Sequence, residues 1–446
     1  MYGVGGNLMG YPKNQLNLKI IKKYIEYKNH PCNASTVSCQ QKRGQAERIE
    51  KCPIADSCDA PLLRVQALFL CLRGGCSGPA GWAQLARTDV TSVLELHNLV
   101  KTYGDTRALD GLSLSLPDDH YISLLGPSGS GKTTLLRVIA GFERCEGGSI
   151  RFAGQSMQDV APHRRGIGFV FQNFALFPHL SVRENIAFGL ANREVAPVTN
   201  AGEVADRVRD IIALVGLQGL ETRAVTQISG GQKQRVALAR TLVTEPKMVL
   251  LDEPLGALDA NLRARMRNEL RDIRERCGVT FLHVTGSESE ALAMGDMVLV
   301  LDRGRIAQTG SSDTIYNRPV SADVARFLNC YNLFSGSVDG NSFVAPAGRL
   351  PLGGFRQSAS SPAYAIRHDR ISIRPVIAER GSDEVAIEAS FLAEEYTGSA
   401  VYSFFSADDG SVFEVETHLS KDARPILEPQ TRYALVWNKE HALVYA

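Results

Sequence analysis

YISLLGPSGSGKTTLLRVIA, Tyr121 to Ala140, decides the fold. Tyr121 to Gly126 is a short apolar strand running into a glycine. Gly131 to Ala140 reads as a helix, with Leu135, Val138 and Ile139 on one face. Between them, Gly126-Pro127-Ser128-Gly129-Ser130-Gly131-Lys132-Thr133 fits G-x-x-x-x-G-K-[ST] at every fixed position. Strand, glycine-rich loop and helix are the context a phosphate-binding loop requires. The glycines let the backbone curl so that successive N–H groups face an anion, and the helix adds its positive end. Lys132 is placed to reach β- and γ-phosphates, and the Thr133 hydroxyl to ligate magnesium. Thr134 completes the stretch expected to hold nucleotide.

Downstream, KMVLLDE (Lys247 to Glu253) is an apolar strand closed by two carboxylates. A strand so apolar lies inside a parallel sheet, and acids at its carboxyl end fall where such sheets bind ligands. Asp252 is expected to hold magnesium, directly or through water. Glu253 is positioned to polarise the attacking water as general base. Between the two halves, Ile228-Ser229-Gly230-Gly231-Gln232 precedes a helix with Val236, Ala239, Leu242 and Val243 on its apolar side. Ser229 and Gln232 also fit a capping box, and the paired glycines leave a bare helix N-terminus suited to phosphate.

With loop, acidic strand and ISGGQ in this order, the sequence resembles the nucleotide-binding subunits of ABC transporters, whose commonest form of the last motif is LSGGQ. The resemblance runs from Val93 to the end of the chain. It implies ATP and Mg²⁺ as ligands and a head-to-tail homodimer. Each ATP would lie between one chain's phosphate loop and the other chain's ISGGQ. Tyr103 in VKTYG matches the aromatic that stacks on adenine. Gln172 in FVFQN matches the glutamine that senses magnesium and the lytic water. Ala257-Leu258-Asp259 matches the loop that crosses the dimer interface.

One element departs from the family pattern. A histidine that contacts the γ-phosphate normally follows the next strand, in V-T-H-D. Here the stretch reads Val284-Thr285-Gly286-Ser287, anchored by EALAMGD (Glu290 to Asp296). His283 lies three residues earlier, about 10 Å along a strand and on its other face, so it reads as a strand residue and a poor substitute. Reduced turnover is one consequence; Ser287 or a water taking part of the role is another.

The last 120 or so residues have the texture of a small β-barrel: short apolar stretches separated by Gly, Asp, Ser and Pro turns. The stretches are Leu333–Val338, Tyr364–Arg367, Ile371–Arg374, Ala386–Leu392, Ala400–Phe405, Val412–Val415 and Arg432–Trp437. They resemble the OB-like TOBE region of importer ATPases, and GRIAQTGSSDTIYNRP (Gly304 to Pro319) at the junction strengthens the match. EYTGSAVYSFF (Glu395 to Phe405) and LVWN (Leu435 to Asn438) look most like polyamine-type members; iron, sugar and phosphonate systems stay open. OB folds often bind nucleic acid, but the region lacks a basic stripe with interleaved aromatics, so nucleic acid is not an expected partner. The fold expected is therefore an α/β ATPase core over residues 92–330, with a helical subdomain near 174–232, then a β-barrel over 331–446.

Composition sets the remaining bounds. The chain has 446 residues, a 44% hydrophobic fraction and a formal net charge of +1, so no global charge points to nucleic acid. No apolar run approaches the roughly 18–20 residues that span a bilayer; Pro61 to Leu72 is too short and contains Arg64. Work at a membrane then requires docking on permease subunits, at the cytoplasmic face of a bacterial inner membrane, with a solute-binding protein as indirect partner. Residues 1–91 differ in texture. They hold six of the nine cysteines without a C-x-x-C pair, and 12 basic against 6 acidic residues. They read as sequence upstream of the working protein, with Val90 or Val93 where a valine-type start would lie; a disordered extension and a functional domain are the alternatives. Removing residues 1–89 is expected to leave ATPase activity and solubility unchanged. A truncated chain that unfolds or cannot assemble would refute that.

Two rivals to an import motor remain: a soluble ABC ATPase acting on nucleic acid or ribosomes, and a regulatory subunit that barely hydrolyses because of Gly286. A last expectation concerns Phe174-Ala175-Leu176-Phe177-Pro178-His179-Leu180, just after Gln172. Either all its apolar residues are core, or some line a groove that receives a helix from the membrane subunit.

Overall fold

A computed structural model describes residues 92–192, 197–198, 200–256, 258–352, 355–359, 361–377, 381–420 and 426–446. The expectations for residues 1–91 and for Ala257 lie outside the described residues.

Three strands open the described chain: β1 (Ser92–Tyr103), β2 (Thr106–Pro117) and β3 (Tyr121–Leu125). The phosphate loop follows, then α1 (Lys132–Ala140), β4 (Gly147–Phe152), β5 (Gln155–Ser156) and β6 (Ile167–Val170). Next come the helices α2 (Val182–Ala191), α3 (Ala201–Leu214) and α4 (Gly230–Leu242). Alternation then resumes with β7 (Met248–Asp252), α5 (Ala260–Cys277), β8 (Thr280–Thr285), α6 (Glu288–Met294), β9 (Met297–Asp302) and β10 (Arg305–Gly310).

The central sheet runs β10-β9-β3-β8-β7-β6, parallel except for the β10 edge. Every residue of β3, β7 and β8 is buried, as expected of parallel strands covered on both faces. Register places Leu125 beside Thr285, Asp252 beside Val284 and Val170 beside Leu251. The segments after β3, β6, β7 and β8 therefore leave from one edge, the carboxyl edge where such sheets bind ligands. An antiparallel sheet, β2-β1-β4-β5, encloses a second core with α1. LSLSL lies in β2 as expected, with Leu112 and Leu116 buried and Ser113 and Ser115 exposed.

The helical insertion is α2 and α3, with α4 starting at its far end. Each helix starts on a side-chain cap: Ser181 with Glu184, Asn200, and Ser229 with Gln232. Val182, Ile186 and Leu190 of α2, Val208 and Ile212 of α3, and Val236 and Leu242 of α4 join one buried cluster. Burying such a side chain contributes about 1.5–3 kcal/mol, so this layer is held by its apolar stripes.

From Tyr331 the described chain forms strands and short 3₁₀ turns. Ser372–Pro375, Arg432–Asn438, Glu384–Tyr396, Ala400–Ala407 and Val412–His418 form one antiparallel sheet in that order. Each apolar stretch picked out in the sequence falls on strand, except that Leu333–Val338 breaks at Gly336 into Tyr331–Ser335 and Ser337–Asp339, which join different sheets, and Ile371 precedes its strand. Their inward residues share a core with Trp437, whose indole N–H donates to the Tyr364 hydroxyl at 3.1 Å. The short strands Ser342–Ala345, Gly348–Pro351, Phe355–Gln357 and Leu443–Tyr445 were not expected. Tyr331, Tyr445 and Ala365 pack with Val298, Val300, Ile315 and Val324, so the β region and the α/β core share a buried seam. The Tyr445 hydroxyl donates to the Pro319 carbonyl across it.

Candidate functional site

The phosphate loop leaves β3 and enters α1 at Gly131, which stands in the left-handed region at φ 103°. A Cβ there would lie 2.3 Å from the Ala108 carbonyl, and one on Gly126 would lie 2.2 Å from that of Leu301. Glycine at these two points is therefore a packing requirement as well as a conformational one. The Lys132 ammonium is mostly buried and donates to the Gly126 and Pro127 carbonyls, at 2.7 and 2.8 Å. Burial lowers its pKa, against the pull of Glu253 and Asp252. Among the described residues the buried Ser130 hydroxyl has no partner. A curled backbone, a buried cation and an orphaned hydroxyl fit the phosphates of a nucleotide.

Two contacts gather distant segments onto this loop. The Thr133 hydroxyl donates to Asp252 Oδ1 at 3.2 Å, across 119 positions. The Gln172 amide donates to Glu253 Oε2 at 3.0 Å, across 81. Burial raises the Asp252 pKa, opposed by the Thr133 hydroxyl. Among the described residues no cluster of three His, Cys, Asp or Glu could hold a metal alone. Hydroxyl, carboxylate and amide oxygens fit magnesium, which takes few protein ligands beside phosphate and water. Glu253 is only half-buried. Its backbone, at φ 45°, donates to the Val284 carbonyl at 3.1 Å, which fixes the acid at the end of β7.

The remaining expected site residues lie elsewhere on the chain. Ser229 and Gln232 form the reciprocal capping box, with Gly230 exposed at the start of α4. No hydrogen bond among the described residues joins them to the Gly126–Thr133 loop. Tyr103 ends β1, 45% exposed, with the Lys101 ammonium 5.1 Å from its ring. Asp259 caps α5 by accepting from the Leu262 N–H at 2.9 Å. His283 is a buried strand residue, as read: Nδ1 meets the Tyr121 hydroxyl at 2.9 Å, and burial pulls its pKa to about 3. Gly286 is exposed, and a Cβ there would meet nothing within 4 Å among the described residues. Ser287 is already engaged, capping α6 and donating its N–H to the Thr285 hydroxyl at 3.0 Å.

In the sequence Glu290 reads only as the start of EALAMGD. Its buried carboxylate accepts from the Thr285 hydroxyl at 2.5 Å and braces the turn that carries Gly286. The signal available was a threonine ending a strand five residues before an acid on the next helix.

The family model described as ABC transporter matches residues 109–256. The spermidine/putrescine import ATP-binding protein of Rubrobacter xylanophilus is 40% identical over 361 residues, 79% of this chain and 93% of that protein. The chain belongs to the ABC transporter import ATPases. A sulfate/thiosulfate import ATP-binding protein of Caulobacter vibrioides is 43% identical over 276 residues, 62% of this chain and 81% of that one. A dimeric ATP-binding cassette solved with ADP and Pi superposes with a TM-score of 0.44 at 30% identity, covering 49% of this chain and 98% of its own. This import ATPase binds and hydrolyses ATP to power import by an ABC transporter. Among its described residues no helix is long and apolar enough to cross a membrane.

Proposed function

We propose that the chain works as a homodimer on membrane permease subunits, at the cytoplasmic face of the membrane, and drives uptake of a polyamine delivered by a solute-binding protein. The observation that carries the catalytic part is the meeting of Thr133, Asp252, Glu253 and Gln172 at one sheet edge beside Lys132. Lys132 and the loop N–H groups from Gly126 to Thr134 bind the phosphates, and Tyr103 stacks on the adenine. Thr133, Asp252 and Gln172 would hold magnesium, which supplies charge neutralisation on the phosphates. Glu253 takes the proton of the attacking water, and Gln172 orients both. Ser229, Gly230, Gly231 and Gln232 close on the nucleotide of the twin chain, and Asp259 lies at that interface. The polyamine reading rests on the relative from Rubrobacter and on Glu395 to Phe405. Residues 92–330 form the ATPase domain, and 331–446 a TOBE-like domain for regulatory contact with the twin. Uptake of labelled spermidine and putrescine by cells with and without this chain tests the substrate. Uptake indifferent to the chain would contradict it.

The open space at Gly286 makes a gain of function testable. A Gly286→His chain is expected to fold normally and to hydrolyse ATP about tenfold faster, as one charge-assisted γ-phosphate contact would predict. An unchanged rate with intact folding would mean that another group already fills the role.

The segment after Gln172 divides between core and surface. Phe174 is buried in the core, whereas Phe177 is half-buried against Phe188, ring centroids 4.4 Å apart, with Phe188 39% exposed. On the other flank of Gln172, Phe171 and Phe142 are exposed and stacked at 5.8 Å. An apolar surface on both sides of a residue that touches the ATP site suits a permease helix. Phe177→Ala should cut transport and permease co-purification by an amount typical of an aromatic anchor, about 2 kcal/mol of binding. The isolated subunit should keep its melting temperature. A melt several degrees lower would place Phe177 in the core instead.

A further inference from the structure

We propose that Arg240 is a positioning residue for hydrolysis: it clamps Phe174 and Ala175 in a left-handed turn and thereby holds Gln172 against Glu253. The inference rests on the reading of Gln172 and Glu253 as the hydrolytic pair.

Phe174 and Ala175 stand at φ 61° and 46°. Two successive side-chain-bearing residues in this region are rare, because each brings Cβ against a neighbouring carbonyl oxygen. Such strain persists where the surroundings impose it. Here the Arg240 guanidinium imposes it. Nη2 donates to the Phe174 carbonyl at 3.0 Å and Nη1 to the Ala175 carbonyl at 2.7 Å. The planar fork matches two adjacent acceptors as a lysine ammonium cannot. Its face also lies 5.5 Å from the Phe177 ring. Two local bonds complete the turn: Phe174 N–H to the Phe171 carbonyl at 2.9 Å, and Ala175 N–H to the Asn173 carbonyl at 2.7 Å. The Phe171 carbonyl thus anchors one side of Gln172, and the clamped carbonyls the other.

Arg240 lies in the last turn of α4, the helix that begins at Gly230. Ten residues of helix separate the two, about 15 Å of rigid rise. A shift of α4 when Ser229–Gln232 meets nucleotide therefore pulls on both clamped carbonyls, and through them on Gln172. The clamp links the motif that reads the twin's ATP to the glutamine at the chain's own ATP.

The experiment measures steady-state ATPase kcat and KM, with binding of a fluorescent ATP analogue, for the full chain. Arg240→Met is expected to lower kcat about tenfold or more, as mispositioning does, with KM and analogue affinity within about twofold of the parent. Arg240→Lys should behave like Arg240→Met. Adding Ala175→Gly to Arg240→Met should recover much of the lost kcat, since glycine enters the left-handed region without help; a merely structural role for Arg240 would give no such rescue. Ala175 is exposed, so Ala175→Val removes no buried contact. Its branched side chain opposes φ 46°, and kcat should fall with Arg240 intact. Parental kcat in Arg240→Met, or failure of the glycine rescue, would overturn the clamp. If Arg240→Met does not fold, parental kcat in Ala175→Val overturns it instead. Glu253→Gln is measured alongside: parental hydrolysis there would sink the site reading itself, whereas its loss, with parental Ala175→Val, would sink the clamp alone.

Discussion

Glu253→Gln should bind ATP as the parent does and hydrolyse it slower by about 10²-fold or more. The amide matches the carboxylate in shape. It leaves the backbone bond to the Val284 carbonyl in place, so the end of β7 keeps its geometry. Its oxygen can still face the Gln172 amide, now 3.0 Å from Glu253. What it cannot do is take a proton from water. The closed, ATP-bound dimer should therefore accumulate, visible as a stable larger species on size exclusion with ATP. Binding and chemistry should separate cleanly here if, as proposed, Lys132 and the loop set affinity while Glu253 acts on the water. Hydrolysis at the parent rate would mean the base lies elsewhere, and Glu290, buried behind Thr285, would be the next acid to test.

Lys132→Ala should fail earlier in the cycle, at nucleotide binding. A hydrogen bond to a charged group contributes about 1.5–3 kcal/mol, so affinity should fall roughly ten- to a hundredfold, where about 1.4 kcal/mol is tenfold. The ammonium now spans the Gly126 and Pro127 carbonyls. Its loss leaves those acceptors facing solvent and the incoming phosphates unopposed. Melting of the ligand-free chain should change little, because burial already penalises this cation and lowers its pKa. Titration with a fluorescent ATP analogue reads the affinity, and calorimetry the stability. Parental affinity would remove Lys132 from the phosphate site.

The fold and the ATP site were legible for different reasons. The fully buried runs of β3 and β7 are apolar apart from Ser123 and the closing Asp252, and a glycine or an acid follows them. Such strings have few other structural solutions, and their register then fixes where the loops meet. Motif spacing alone singled out Lys132, Thr133 and Asp252, and the fold brings Thr133 and Asp252 into contact. The C-terminal sheet showed through its alternation, yet Ser342–Ala345 and Gly348–Pro351 did not, being four residues each with little pattern to read. Local sequence also hides what depends on a distant side chain. Nothing in Phe174-Ala175 announces a left-handed turn, since its cause, Arg240, lies 65 positions beyond Ala175. Glu290 was invisible likewise: an acid on a short helix is ordinary until strand β8 delivers Thr285 to it. Gly286 was readable as a departure from the family pattern, but the free space around it belongs to the fold.

The central claim, that hydrolysis at this site powers import, is tested most directly in proteoliposomes carrying the chain with its permease and solute-binding protein. The quantity is accumulation of labelled spermidine driven by ATP on the side of this subunit. The expected result is accumulation with the parent chain and ATP, and none without ATP or with Glu253→Gln in both copies. Accumulation that proceeds equally with Glu253→Gln, or without ATP, would contradict the account.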